Sequence, residues 1–451
     1  MQTQMKKTKN LNMNRSIKIL VALLLTTAMA HAQDDVYPAK PYAGRLFITG
    51  GTIHVGNGQV IENGTIEING GKIVHIGADV QASGGDAKVI DAKGKQVYPG
   101  LILPVTDLGL KEIGSGVRGS NDFEELGDLN PSVRSIVAYN TDSKVINTLK
   151  SNGILLAGTT PEGGTISGSS TIVQLDAWNW EDAAYKMDNA IHVNLPTFIT
   201  RPRRFGGGGG RFGNAPATDP VKEALAKIEE LKTFFRQAKA YSAETTHKET
   251  NLKFEAVKGL YTKQQKLFVH GDQVKQMLVA VDFAKEFGFD VTIVGGSESW
   301  LIADLLKQNN ISVILQQLHA LPTTEDDDVD QPFKTPAVLQ KAGVLFALND
   351  NHEEARYRNL MFNAGTAVAY GLTREQALQA ITLNSAKICG IDDRTGSLEP
   401  GKDANIVISG GDILDMRTSL IEHCFIQGRE ISLDNKQTQL YHRYMIKYGL
   451  E

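Results

Sequence analysis

Between residues 45 and 98, apolar positions alternate with polar ones in short runs. The stretch RLFITGGTIHVGNGQVIENGTIEINGGKIVHIGA is cut by Gly-Gly, Asn-Gly and Gly-Gly pairs, which predicts short strands joined by tight hairpin turns. The far end of the chain repeats the style, with ANIVIS (404–409) and CFIQGREI (424–431) as β-branched runs around glycine. Two strand-rich ends enclosing a different middle predict one small β domain built from both termini. The middle of the chain is then an insertion.

From about residue 99 the period changes. LFVH (267–270) is a short apolar run followed by DQVKQMLVAVDFAKEFG (272–288), whose apolar residues recur at helical spacing. DVTIV (290–294) is again a strand, and SESWLIADLLKQNN (297–310) reads as a helix opened by Ser297. ISVIL (311–315) and VLFAL (344–348) continue the alternation. Residues 353–370 and 373–383 read as helices, the second opened by a capping box of Thr373 with Gln376. Repeated strand–helix units predict a parallel sheet, and nearly 300 residues of them fit a closed (β/α)₈ barrel better than an open sheet. After the strand-like ILLAG (154–158), GGTISGSS (163–170) reads as a tight turn, with an anion cradle as the alternative. RPRRFGGGGGRFGN (201–214) lacks the frame of a phosphate loop and reads as a surface loop. EDDDVD (325–330) lacks the Gly and spaced Glu of an EF-hand and reads as a solvated acidic loop.

Composition narrows the class. Over 451 residues, 41% are hydrophobic and 22% charged, which suits one large and one small packed domain and excludes disordered, collagen-like and disulfide-scaffold chains. Two cysteines, Cys389 and Cys424, exclude a Cys-based zinc cluster; falling in different predicted domains, both are expected to be free thiols. A formal charge of −4 from 47 basic and 51 acidic residues is no footprint for nucleic acid. The first 32 residues read as a signal peptide: five cations (Lys6, Lys7, Lys9, Arg15, Lys18), an apolar run from Ile19 to Leu25, and a small-x-small site at Ala30-His31-Ala32. Its removal would leave a mature charge of −9 and a periplasmic or secreted protein. No later stretch is apolar and long enough for a membrane span, so an integral membrane protein is not expected.

The chain resembles the amidohydrolase superfamily, in its imidazolonepropionase-like branch. The resemblance rests on GKIVHIGA (71–78) and VIDAKGKQVYPGLI (89–102) near one end, and on AGTAVAYGLTREQALQAITLNSAKICGI (364–391) and GSLEPGKDANIVISGGDIL (396–414) near the other. It implies a metal-dependent (β/α)₈ barrel over 99–395, a β-sandwich from 43–98 with 396–435, and a C-terminal extension over 436–451. The activity it implies is hydrolysis of non-peptide C–N bonds in a small molecule.

The same resemblance says where metal ligands belong, at the C-terminal ends of the barrel strands. The first strand of the family ends PGLIDxHxH; this chain has Pro99-Gly100-Leu101-Ile102-Leu103-Pro104-Val105-Thr106-Asp107. Val105 stands at the first histidine position and offers no donor, while Asp107 stands at the second. His270 matches the fifth-strand histidine, Gly295 and Gly296 fall where the sixth-strand histidine belongs, and Asp350 matches the eighth-strand aspartate, the family's general base. The candidate catalytic residues are therefore Asp350 and His270, and a residual metal site would be His270, Asp350 and Asp107. Each has a plainer alternative: a core histidine, a strand-to-helix turn, and a turn cap before Leu108-Gly109-Leu110. His352 could replace a lost ligand, Arg356 and Arg358 could hold a substrate carboxylate, and Trp178 and Trp180 could line a pocket or pack in the core. Catalytic zinc takes three protein ligands, so zinc is expected to bind weakly or not at all. Two functions remain open: a hydrolase with an altered site, or an inactive relative that binds a small molecule or partners an intact paralogue. A homo-oligomer is compatible with both.

Overall fold

The structure is a computed structural model that describes residues 36–82, 87–112, 122–198, 219–316, 318–350 and 356–450. The expected signal peptide, the Gly-rich stretch 201–214 and His352 lie outside the described residues. One compact unit spans Pro38–Lys436. It contains two eight-stranded sheets.

The first sheet is made by the chain ends, as the hairpin pattern predicts. Strands β1 (Arg45–His54), β2 (Val60–Asn69), β3 (Lys72–Gly77), β4 (Lys88–Asp91) and β5 (Gln96–Pro99) come from one end. Strands β14 (Ile406–Ser409), β15 (Ile421–Ile426) and β16 (Arg429–Glu430) come from the other. The order is β16-β15-β14-β5-β1-β2-β3, with β4 pairing β1 beside β5. The two ends join where β14 runs antiparallel to β5, Val407 opposite Tyr98. Alternate residues from both ends, among them Ile48, Ile66, Val97, Ile406 and Phe425, fill one apolar core.

The second sheet is the barrel, with strand order β13-β12-β11-β10-β9-β8-β7-β6. In chain order these are β6 (Leu101–Thr106), β7 (Ile154–Thr159), β8 (Ile166–Gln174), β9 (Ala184–Asn194), β10 (Lys266–Gly271), β11 (Val291–Gly295), β12 (Ser312–Leu315) and β13 (Phe346–Leu348). Among the helices, α1 (Pro220–Ala243), α2 (Val274–Phe287), α3 (Ala303–Gln308) and α4 (Gln331–Ala342) lie between later strands. Then follow α5 (Leu360–Ala369), α6 (Arg374–Ala380) and α7 (Leu383–Cys389). Phe235 of α1 packs edge-on against Phe283 of α2 and against Phe289, ring centroids 5.8 and 5.3 Å apart, clamping this part of the helical layer. The C-terminal helix α8 (Lys436–Tyr448) has no buried residue among those described.

Four expectations are corrected. The barrel is not wholly parallel: β8 runs antiparallel to both β7 and β9. Only residues 160–165 separate β7 from β8, and a parallel return needs a crossover of about a dozen residues or more. Most of GGTISGSS is therefore strand rather than turn, and its Ser169 and Ser170 are buried. Ser297 does not cap the next helix; its hydroxyl donates to Asp272 at 2.7 Å, and the segment is a short 3₁₀ turn, Ser299–Ile302, followed by α3. The helical stretch 373–383 breaks at Thr382, splitting α6 from α7, although the Thr373–Gln376 capping box forms as read.

The seam of the barrel is unusual. Among the described residues no ladder joins β13 to β6. Asn349 bridges the gap instead: its side-chain amide donates to the Val105 carbonyl at 2.8 Å and its oxygen accepts from the Val105 N–H at 3.3 Å. Pro104 has no N–H to offer a ladder, and the β6–β7 register shifts between Leu103 and Thr106. A side chain at Gly158 would place its Cβ 2.0 Å from the Pro104 carbonyl oxygen, so glycine there is what lets β7 follow this irregular strand. From the other side α7 sends Ile388 into the barrel's inner cluster with Val105, Phe268, Val294, Ile314 and Ala347.

Asn349→Ala should remove both seam bonds and leave the Val105 backbone groups buried without partners. We expect a loss of about 2–4 kcal/mol in urea unfolding, from about 1–3 kcal/mol per orphaned buried group. A variant within 0.5 kcal/mol of wild type, on the order of a neutral surface change, would show that the seam does not depend on Asn349.

Candidate functional site

The C-terminal ends of β6, β7, β9 and β10 meet at one mouth of the barrel, where a cavity of about 330 Å³ opens. Its walls are Val105 and Thr106 at the end of β6, Thr160 to Gly163 after β7, Asn194 at the end of β9 and His270 on β10. A parallel strand end leaves backbone groups and loop side chains pointing the same way, which is why sites collect there in barrels.

Val105 sits at 1% exposure with its side chain among the inner cluster, so the first expected ligand position is apolar. Asp107 is buried just beyond β6, accepting a short hydrogen bond from the Tyr357 hydroxyl, with Lys111 Nζ 3.7 Å away. Asp350 is buried beyond β13, accepts from Asn363 Nδ2 of α5 at 3.0 Å and has Arg356 Nε 4.0 Å away. Arg356 thus reaches a carboxylate of the chain itself. Gly295 and Gly296 at the end of β11 both have positive φ, 106° and 65°, so glycine there serves a backbone turn at the position where a sixth-strand ligand was expected. Trp178 and Trp180 are 62% and 41% exposed, neither in the core nor lining this cavity.

His270 ends β10 as expected and lines the cavity. Its partner was not foreseen. His192, fully buried on β9, lies 2.8 Å from it, Nδ1 to His270 Nε2. The signal was present in the period-two rule: Ala190, His192 and Asn194 share one face of β9, as Phe268 and His270 share one face of β10. Both Ala190 and Phe268 belong to the inner cluster. Burial drives the His192 pKa well below its ordinary value, with His270 adding to the effect. His270 keeps some surface at the cavity, yet the surrounding protein lowers its pKa to about 4 against a small opposing pull from Asp272. Two neutral imidazoles can share one N–H···N bond, and two imidazolium ions could not. The Nε2 of His192 is buried with no hydrogen-bond partner.

The other ionisable group of the wall is Glu162. It retains solvent access, but the protein around the cavity and the nearby Asp107 charge raise its carboxyl pKa, with Lys111 opposing. Asn194 spends its amide N–H groups on the Gly164 carbonyl (2.8 Å) and the Ser167 hydroxyl (2.9 Å). Among the described residues no three His, Cys, Asp or Glu side chains converge on a point that could hold a metal ion. The structure brings His270 to His192, and does not gather Asp107, His270 and Asp350 into one ligand set.

The amidohydrolase family profile matches residues 355–431, the stretch that leads from the barrel back into the terminal sheet. An imidazolonepropionase of Mesorhizobium japonicum is 25% identical over 373 residues, covering 77% of this chain and 87% of the relative. A 5'-deoxyadenosine deaminase of Methanobrevibacter smithii is 24% identical, covering 76% of this chain and 79% of its own length. The solved structure of an amidohydrolase from Thermotoga maritima MSB8 superposes with a TM-score of 0.68 at 24% identity, over 86% of this chain and 99% of that one. In sequence and in fold the chain is similar to the amidohydrolase superfamily. Its imidazolonepropionase and deaminase relatives support the imidazolonepropionase-like branch and a hydrolase of C–N bonds.

The pH response of the pair has a definite sign. Both histidines have folded-state pKa values below the unfolded value of about 6.5, so their contribution to stability is complete above that pH and is lost as pH falls toward about 4. Carbon-13 histidine NMR should show His270 still neutral at about pH 5. The thermal midpoint should fall less between pH 6.5 and 4.5 in His270→Gln than in wild type, and a His270 midpoint near 6.5 would contradict the buried pair.

Proposed function

We propose that this amidohydrolase-superfamily chain binds a small polar molecule carrying an amide-like C–N group in the barrel-mouth cavity, without the metal-dependent hydrolysis typical of its relatives. The observation that carries this reading is the donor set. Val105 and the Gly295–Gly296 turn offer no ligand, and no three metal-binding side chains converge among the described residues. A catalytic zinc takes three protein ligands with an open position for water, and the described residues do not fit that requirement. The cavity itself is retained, at about 330 Å³, a size suited to a small metabolite. Thr106, Thr160, Glu162, Asn194 and His270 would recognise the ligand by hydrogen bonds, over the apolar floor of Val105. His192 would hold His270 in one orientation. The export reading of residues 1–32 and a partnership with an intact paralogue belong to the same proposal.

A second reading, hydrolysis of the ligand's C–N bond, is supported by His270 and Asp350, which occupy the fifth- and eighth-strand positions. Metal content separates the two. Protein purified from zinc-supplemented medium and dialysed should hold well under one metal per chain, with no metal-dependent turnover of hydantoin, lactam or dipeptide substrates. One tightly held metal per chain, lost in both His270→Ala and Asp350→Ala, would overturn the binding-only reading in favour of the hydrolase.

A further inference from the structure

A second cluster of titratable groups lies away from the barrel mouth. His54 at the end of β1 and Glu375 in the first turn of α6 approach to 2.6 Å, Nδ1 to Oε1, and the other ring nitrogen lies 2.9 Å from Gln96 Oε1 on β5. The imidazole is stacked on Tyr98, ring centroids 4.6 Å apart and planes 12° off parallel. These residues, with Arg374, Leu378, Asp412 and Leu414, wall a cavity of about 270 Å³. One side of the contact is the terminal sheet. The other is the helix that leads through Thr382 into α7, which packs the barrel seam.

The hydrogen-bond inventory around His54 favours its charged form. Both ring nitrogens of His54 face acceptor oxygens, so only the doubly protonated imidazolium satisfies both. A neutral ring leaves one nitrogen as an acceptor opposite an oxygen, and either Gln96 must turn its amide or the Glu375 contact is lost. The second carboxylate oxygen, Glu375 Oε2, is buried with no hydrogen-bond partner, so Glu375 holds its place through His54. The other charged groups nearby have partners of their own. Arg374 on α6 binds Asp412, beyond β14, at 2.7 Å; on β2 Glu62 accepts from the Thr52 hydroxyl at 2.7 Å; just before β5 Lys95 binds Glu422 at 2.5 Å. Tyr98 contributes its ring face.

We propose that His54 and Glu375 form a pH-sensitive latch between the terminal sheet and α6, closed when His54 is protonated and loosened when it is not. Burial alone would lower the His54 pKa, but the hydrogen bonds to Glu375 and Gln96 and the charges of Glu375 and Asp412 outweigh it, and the pKa stands above 6.5. A raised folded-state pKa means the latch contributes fully below about 6.5, the unfolded value, and is lost as pH rises through the folded-state value. This is opposite in sign to the His192–His270 pair.

The test uses the full chain. Carbon-13 histidine NMR, assigned in the wild-type protein, should show His54 titrating with a midpoint above 6.5, and amide protection of α6, corrected for intrinsic exchange, should fall by up to about tenfold per pH unit between 6.5 and that midpoint. In Glu375→Gln, α6 protection should lose this pH dependence, as it should in His54→Gln. A His54 midpoint at or below 6.5 in the wild type would overturn the latch whether or not either variant folds. So would α6 protection that does not change across the window.

Discussion

The barrel closes through one side chain. A sheet of eight strands becomes a barrel only when its first and last members are joined, and here β13 and β6 do not exchange backbone bonds among the described residues. The Asn349 amide offers a donor and an acceptor in the spacing of a peptide unit, and so pairs with the N–H and carbonyl of Val105 as a neighbouring strand would. It also donates to Gln316 Oε1 at 3.0 Å, which ties the end of β12 to the same point. Everything at the mouth is referred to this seam. Val105 is turned inward, Asp107 is carried past the end of β6, and Asp350 is placed one residue beyond the asparagine that holds the two strands together.

That geometry explains why the two carboxylates do not behave as a ligand pair. Taking a carboxylate out of water costs several kcal/mol unless it is met by donors. Asp107 meets the Tyr357 hydroxyl and Lys111, and Asp350 meets Asn363 and Arg356. Each is therefore stabilised by the protein itself. The histidines solve the same problem by staying neutral. An imidazole loses little on burial when uncharged, and the N–H···N bond between His192 and His270 satisfies one polar group on each. What remains available to a ligand is the cavity edge of His270, the Asn194 carbonyl side, two threonine hydroxyls and Glu162.

Much of this was legible in the chain, and the reasons differ by element. The terminal sheet announced itself because Asn-Gly and Gly-Gly pairs force hairpins, and period-two alternation marks a half-buried strand. The later barrel strands were equally plain, since apolar runs such as Leu267–Val269 stand between amphipathic helices. Strand β8 was hidden because ISGSSTIVQ is rich in glycine and serine, residues of turns, yet all nine of its residues are buried between two neighbours. Its direction depends on the length of a connection rather than on composition. The positions of His270 and Asp350 followed from the resemblance, while His192 needed the inward face of β9 to be counted. Tyr357 gave no local sign: the hydroxyl that meets Asp107 lies 250 residues along the chain.

The terminal sheet and the barrel are tied at two joints of different character. At one, Lys150 and Arg429 meet the fully buried Asp176, with Nζ at 3.0 Å and a guanidinium nitrogen at 3.5 Å, and the Ala39 N–H donates to the same carboxylate at 2.8 Å. Removing one partner from such a buried group strands the other, at a cost of about 3–5 kcal/mol. A guanidinium stays charged under any condition the fold survives, so the Arg429 arm of this joint keeps its charge. The other joint is His54 with Glu375, an ion pair only while the imidazole is protonated. The Glu375 side of that joint is α6, whose continuation α7 packs Ile388 in the inner cluster with Val105, so under the latch proposed above the protonation of His54 would bear on the element that backs the seam Asn349 bridges.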